Sequence, residues 1–322
     1  MPKVVRMNRS GALGTAGARP VMLAIAGDSA SGKTTLARGL VEAIGAERCT
    51  SISVDDYHRY DRAERRQRSI TPLNPQSNYI DILEQHLQML ALGQPILKPV
   101  YDHATGTLAR PEYVVPARFV IVEGLFPLST ELARACFDIS VFLDPPEPLR
   151  RAWKLARDTA ERGYTAEEVE RDLAAREPDA AAHIRPQRRH ADLVVRFAPT
   201  TDPTPGSDGD ASLNGPLSAQ LLLRPTIAHP PLSAILTDDV GAAMHLTIIR
   251  DTDGTPVDAL QVHGHAQPEE ISLLKKAIWD GVADRRPMPR GLGAISGGQH
   301  SEPLAVVQLL LLYHLAQEVY RA

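Results

Sequence analysis

Lys33, Thr34 and Thr35 close the run Gly27-Asp28-Ser29-Ala30-Ser31-Gly32-Lys33-Thr34-Thr35, whose spacing is G-x-x-x-x-G-K-T. An apolar stretch, Val21 to Ala26, precedes it, and a helical pattern follows from Thr34 onward. Two glycines permit a bend in which successive N–H groups aim at one point, and the next helix starts there with its positive end. A lysine beside that point bridges β- and γ-phosphates, and the Thr34 hydroxyl can supply a ligand to Mg²⁺. The pattern in this strand-then-helix setting predicts a phosphate-binding loop for ATP with Mg²⁺. A Gly/Ser turn that binds nothing is the alternative, and the flanking elements argue against it.

Asp55 and Asp56 follow a short strand-like stretch, Thr50 to Val54. A carboxylate at that strand end can accept a proton from a substrate hydroxyl aimed at the γ-phosphate, or can hold Mg²⁺ through water. The base role is the one taken for Asp55, with Asp56 the second candidate. His58 and Arg62 are four apart and so are expected on one helical face. Arg59, Arg65, Arg66 and Arg68 add positive charge, which suits an anionic acceptor because guanidinium binds phosphate in bidentate fashion. A solvated loop balanced by Asp61 and Glu64 is the other reading.

Lys154, Arg157, Asp158 and Arg162 fall at i, i+3, i+4 and i+8, on one face of one helix. They form either an ion-paired surface or a lid that brings cations to the transferring phosphoryl group. Glu123 ends the apolar stretch Phe119 to Val122, where it can orient Mg²⁺ through water or polarise a substrate hydroxyl. Tyr101, Asp102 and His103 are expected in the loop before that strand.

These groups need a scaffold, and the pattern supplies one. Apolar strands at 21–26, 50–54, 119–122, 139–143 and 193–197 alternate with helices at 35–44, 80–92, 149–162 and 166–176. Buried-looking strands alternating with helices predict an α/β fold with a mainly parallel sheet. Asp55, Asp56, Glu123 and Asp144 all follow strand C-termini, the edge where such sheets bind ligands. The segment 200–216 is rich in Pro, Gly, Ser, Thr and Asp and reads as a linker or long loop. The expected organisation is a tail at 1–19, basic and disordered, a kinase core with lid at 20–199, that linker, and a smaller α+β extension at 217–322. The extension has strands near 217–223, 244–249 and 259–262 and helices at 268–278 and 303–320.

The 322 residues carry a net charge of −4, with 43% hydrophobic and 23% charged residues. That balance gives no reason to expect nucleic acid or a membrane surface, and no apolar run reaches the ~20 residues of a bilayer span. Two cysteines, Cys49 and Cys136, make no disulfide framework, so a reducing, cytoplasmic setting is expected.

Together these segments resemble the phosphoribulokinase/uridine kinase family, on its plant and cyanobacterial phosphoribulokinase side. The resemblance runs from about Val21 to Thr200. It is carried by the phosphate loop, Asp55-Asp56-Tyr57-His58 with Asp61-Arg62, Pro75 with Asn78 and Asp81, and Lys98-Pro99-Val100-Tyr101 with His103 and Thr105-Gly106. Glu123-Gly124-Leu125 with Pro127, Lys154 to Asp158 with Arg162-Gly163, Arg176, Pro178, Pro186-Gln187 and Ala191-Asp192 complete it. It implies a P-loop kinase fold and transfer of the ATP γ-phosphate to O1 of ribulose 5-phosphate, giving ribulose 1,5-bisphosphate in the Calvin–Benson cycle. It implies Asp55 as base, Asp158 acting at the metal or the reacting hydroxyl, and His58 and Arg62 on the sugar phosphate with Tyr101 and His103 nearby. Lys154, Arg157 and Arg162 would be lid cations, Arg176 a further substrate contact, and the assembly a homodimer. A uridine/cytidine-type nucleoside kinase and a non-catalytic nucleotide-binding regulator are the rival readings. Three departures stand out. Ser31 and Ser53 replace the cysteines of the plant type, so a thiol switch is not expected. Phe126 replaces a common histidine, and the C-terminal region, either a sheet extension or a dimer contact, matches loosely.

Overall fold

The computed structural model describes residues 19–200, 215–236, 243–282, 287–295 and 298–321. The strands are β1 (Val21–Gly27), β2 (Cys49–Ser53), β3 (Ile96–Asp102), β4 (Thr107–Val114), β5 (Phe119–Gly124), β6 (Ile139–Leu143), β7 (Leu193–Pro199), β8 (Leu217–Leu223), β9 (Met244–Arg250) and β10 (Pro256–Val262). The helices are α1 (Lys33–Ile44), α2 (Arg62–Gln67), α3 (Ile80–Ala91), α4 (Glu131–Ala135), α5 (Glu147–Glu161), α6 (Ala166–Asp179), α7 (Leu232–Ile235), α8 (Pro268–Asp280) and α9 (Glu302–Arg321).

One eight-stranded sheet carries the fold, in the order β2-β5-β1-β6-β7-β8-β10-β9. The first five strands are parallel, and the last three join antiparallel. All seven residues of β1 are buried, as a strand covered on both faces requires. Leu23 and Ile25 face a core filled by Leu36 and Leu40 of α1 and by Leu309, Leu310 and Leu311 of α9. Ala24, Val120 and Val122 face the opposite core, with Leu83, Leu87 and Phe126.

The strands β8, β10 and β9 thus extend the kinase sheet, one of the two roles foreseen for residues 217–322. Leu309, Leu310 and Leu311 have no exposed surface, so the Leu-rich run of α9 is core. The junction is also tied by charge. Asp251, just past β9, accepts from Arg188 at 2.6 Å and from Arg224 at 2.5 Å. Burial opposes its charge, yet those two hydrogen bonds hold the carboxyl down at about 2. Arg188 also donates to Asp144 at 2.9 Å, at the C-terminal end of β6. Asp144 therefore serves the junction, although it shares the acidic strand-end pattern of Asp55 and Glu123.

Of the tail expected at 1–19 only Arg19 is described, and its guanidinium pairs with Asp138 at 2.7 and 2.9 Å. Most of the linker expected at 200–216 lies outside the described residues. Tyr101 and Asp102 end β3, and His103 opens the turn into β4, so the expected loop is a hairpin. Its second strand is exposed almost throughout and carries Pro111, which leaves no alternation to read.

Leu310→Ala should lower stability by about 2–5 kcal/mol. Because one core spans both halves, versions retaining only Trp153 (α5) or only Trp279 (α8) should report the same denaturant midpoint, shifted equally by the substitution. Two separate midpoints would show that the halves unfold independently.

Candidate active site

The phosphate loop is held by close contact with its neighbour strand. Gly27 has φ +153°, and a Cβ there would lie 2.7 Å from the Leu143 carbonyl oxygen and 2.7 Å from Ser31 Oγ. Only glycine fits that bend. Ala30 and Gly32 also take positive φ, 62° and 94°, which turns the loop into the first turn of α1, where Thr34 and Thr35 sit. Lys33 is buried and donates from Nζ to the Asp28 carbonyl at 2.7 Å. Burial pulls its pKa down, against the opposing charges of Glu123, Asp55 and Asp28.

Thr34 Oγ1 donates to Glu123 Oε1 at 3.3 Å. Burial pushes the Glu123 carboxyl up to about 7, partly offset by Lys33. A half-buried carboxylate that ionises with difficulty, beside a hydroxyl, is a hard-oxygen donor set short of positive charge. Those residues fit Mg²⁺.

The two aspartates after β2 are in different environments. Asp56 accepts from Lys98 Nζ and, at 3.1 Å, from the Tyr101 amide. Asp55 Oδ1 is buried with no hydrogen-bond partner. Its negative charge is felt at Lys33, His58, His103 and Arg162, so it lies among the groups the sequence separates by more than a hundred residues. The free oxygen distinguishes Asp55 from Asp56, a choice that adjacency in sequence leaves open.

His58 and Arg62 do not share a helix, contrary to expectation. A 3-10 turn (Val54–Tyr57) ends before His58, and Asp61 caps the separate helix α2. The two side chains instead reach the hairpin turn from different directions. His58 contacts the Tyr101 ring edge-on, with centroids 4.7 Å apart, and Tyr101 contacts His103 at 5.0 Å. Arg62 donates to the His103 carbonyl at 2.7 Å and lies against Gly106, where a Cβ would come within 2.6 Å of Arg62 Nε. Gly106 has φ +77°, so glycine there serves both the turn and the arginine.

His58 is a neutral ring, not a cation. Burial pushes its pKa down to about 4, with Asp55 opposing and Arg65 adding to the fall. Its Nδ1–H donates to Asn78 Oδ1 at 2.7 Å, which leaves Nε2 as an acceptor. The Arg-rich segment is also less free than its charge suggests. Arg65 is buried, donates to the Tyr101 hydroxyl at 2.6 Å, and its guanidinium carbon lies 5.0 Å from that ring's centroid. Arg59 and Arg68 lie over Tyr79 and Tyr60. Arg65, Asn78 and Lys98 therefore position the site. Nothing in their spacing assigned those roles.

Lys154, Arg157 and Arg162, the cations of α5 and its C-terminal cap, meet on one carboxylate. Asp158 accepts from Lys154 at 2.5 Å and from Arg157 at 2.8 Å, with Arg162 at 3.5 Å. Burial pushes Lys154 down to about 8, aided by the nearby Arg176. Arg162 is the residue that caps α5 at its C-terminus. Arg157 Nη2 is buried without a partner. Arg176 is paired with Asp172 at 2.5 Å, and its charge acts on Lys154 and Arg162.

A parallel sheet with a G-x-x-x-x-G-K-T turn between β1 and α1, and acidic groups at the neighbouring strand ends, defines a P-loop kinase fold. The model of the Phosphoribulokinase / Uridine kinase family matches residues 22–204, and the chain belongs to that family. A phosphoribulokinase from Synechocystis is 43% identical over 182 residues, covering 56% of this chain and 55% of that protein. The chloroplastic phosphoribulokinase of Arabidopsis thaliana is 35% identical over 198 residues, covering 56% and 50%. A uridine kinase from Deinococcus deserti is 32% identical over 196 residues, covering 58% and 91%. The chain thus spans about half the length of the curated phosphoribulokinases it matches. A solved phosphoribulokinase from Rhodobacter spheroides shares the fold at TM-score 0.57 and 18% identity, covering 81% of this chain and 96% of that one.

The folded chain favours neutral His58, since its pKa lies below the ordinary 6.5. That stabilisation is complete above pH 6.5 and is lost as pH falls toward 4. Wild type should therefore lose on the order of 2 kcal/mol more unfolding free energy between neutral and mildly acid pH than His58→Gln does. Equal losses in urea titrations would contradict the neutral ring.

Proposed function

We propose that this chain is a phosphoribulokinase, transferring the γ-phosphoryl of ATP to O1 of ribulose 5-phosphate. The observation that carries the reading is the buried Asp55 Oδ1, which has no hydrogen-bond partner while its charge acts on Lys33, His58 and His103. A base at that point needs an oxygen not already committed to a donor, and Asp56 has none.

The loop amides from Gly27 to Thr35 and Lys33 would bind the phosphates, with Asp28, Ser29, Ala30, Ser31 and Gly32 forming the bend. Thr34 and Glu123 would hold Mg²⁺, which when bound supplies charge neutralisation between β- and γ-phosphates. Arg62 would grip the 5-phosphate, and His58, through its Nε2 acceptor, would orient a sugar hydroxyl beside Tyr101 and His103. Asp55 would take the O1 proton as O1 forms its bond to Pγ and the bond from Pγ to the β,γ-bridging oxygen breaks, releasing ADP. Lys154, Arg157 and Arg162 would meet the transferring group as the lid closes, with Asp158 holding them until then and Arg176 supporting them. Closure would exclude water and limit ATP hydrolysis.

Similarity supports the acceptor: the Synechocystis phosphoribulokinase is 43% identical, against 32% for the Deinococcus deserti uridine kinase. A homodimer in the cytoplasm fits this reading. Among the described residues no helix is long and apolar enough to cross a membrane.

Purified protein should release ADP from ATP with ribulose 5-phosphate and not with uridine. Asp55→Asn should cut that turnover by about 10²–10⁴-fold while leaving ATP affinity unchanged. Turnover of uridine alone would make the chain a nucleoside kinase, and ATP binding with no turnover of either acceptor would make it a regulator. Near-normal Asp55→Asn activity would remove the base assignment.

A further inference from the structure

A cavity of about 430 Å³ lies between the loop after β5, the start of α3 and the segment 182–190, and it shares no residue with the phosphate loop. Its volume falls within the range of small-ligand pockets. Ile80, Phe126, Leu128 and Pro186 give it apolar walls.

The rim carries two guanidiniums and one carboxylate, Glu131, and so has an excess of positive charge. Arg134 and Arg189 line the cavity, and among the described residues neither guanidinium is within ion-pairing distance of a carboxylate. Arg134 is held in place by donating to the Leu128 carbonyl at 3.0 Å. Arg189 donates from Nε to His190 Nε2 at 3.1 Å, so that nitrogen is an acceptor and the ring is neutral. The positive potential is felt there. Burial, then Arg134, Arg189 and Arg224, push His190 down to about 4, and only Glu131 opposes.

The frame is rigid. Gln187 is buried, accepts from the Leu128 amide at 3.0 Å and donates to the Leu125 carbonyl at 2.7 Å. Ser129 Oγ donates to the Phe126 carbonyl at 2.8 Å. Two unpaired guanidiniums over an apolar floor present charge-assisted donors to an anion and a dry surface to the body that carries it. One wall also bears on the proposed sugar-phosphate arm. Pro75 and Ile80 flank Asn78, the residue that fixes His58.

We propose that this cavity is a second binding site, separate from the phosphate loop, for a small organic phosphate with an apolar body. Arg134 and Arg189 take the phosphate oxygens, and Phe126, Leu128 and Ile80 cover the body. The site stands whether or not the acceptor is ribulose 5-phosphate, because none of its residues belongs to that reaction.

The probe is phenyl phosphate, with inorganic phosphate and phenol as its two halves. A non-hydrolysable ATP analogue keeps the phosphate loop filled throughout. The readout is the ¹³C-labelled imidazole resonance of His190, assigned by its loss in His190→Gln. Phenyl phosphate should shift that resonance saturably and raise the ring's pKa above about 4. It should bind more tightly than inorganic phosphate, and Arg134→Gln with Arg189→Gln should weaken it by about tenfold or more. A resonance unmoved by phenyl phosphate at millimolar concentration overturns the proposal, as does equal affinity in the double variant. Should that variant fold poorly, wild type alone decides: a response to phenol equal to that of phenyl phosphate overturns the anion site.

Discussion

A negative charge at Asp55 with one oxygen left without a hydrogen bond organises the candidate site. A carboxylate oxygen buried without a hydrogen bond costs roughly 1–3 kcal/mol or more, so a fold tolerates it only where surrounding charge offsets the cost. Lys33 and Arg162, both within reach of the Asp55 charge, supply that offset. Neither touches Asp55 closely enough to occupy its free oxygen. Asp28 and Ser31 in the phosphate loop and Arg157 on α5 also bury polar atoms without a hydrogen-bond partner, as do Arg59 and, away from the site, Gln308 of α9. The two in the loop lie where a triphosphate would be received, a place where stability is commonly given up for function.

The same logic applies to the cations gathered on α5. Three cations share Asp158. Lys154 is held near 8 by burial and by its cationic neighbour Arg176, so its charge depends on that carboxylate. In the proposed reaction a phosphoryl group with several oxygens would replace Asp158 as partner without leaving the cations bare, so closure would exchange partners and bury no new charge. Support reaches the site from the far end of the chain. Asp251 holds Arg188, Arg188 holds Asp144, and the adjacent Leu143 carbonyl confines Gly27.

The phosphate loop and the parallel strands were legible because local rules set them: glycine conformation, a strand-helix boundary and continuous apolar runs. The strand ends at Asp55 and Glu123 were legible for the same reason. The partnering was not. That Asp56 is taken by Lys98, and that Arg65 is taken by Tyr101, depends on contacts between residues 42 and 36 apart in sequence, which periodicity does not encode. The misplaced helix over His58 and Arg62 shows the limit clearly. Four-residue spacing suggested a shared face, but Asp61 with Glu64 makes a capping box that starts α2 at Arg62 and leaves His58 outside. His58 likewise reads as a cation until burial and Asn78 are known. The composition break at 200–216 leaves open from sequence whether the extension joins the sheet, which the pairing of β8 with β7 decides.

The most direct measurement is a crystal structure of the chain with a non-hydrolysable ATP analogue and ribulose 5-phosphate bound together. The account predicts the O1 hydroxyl within about 2.6–3.2 Å of Asp55 Oδ1 and in line with the γ-phosphorus. A hydroxyl directed at Glu123 or Asp56, with Asp55 turned to solvent, would contradict it.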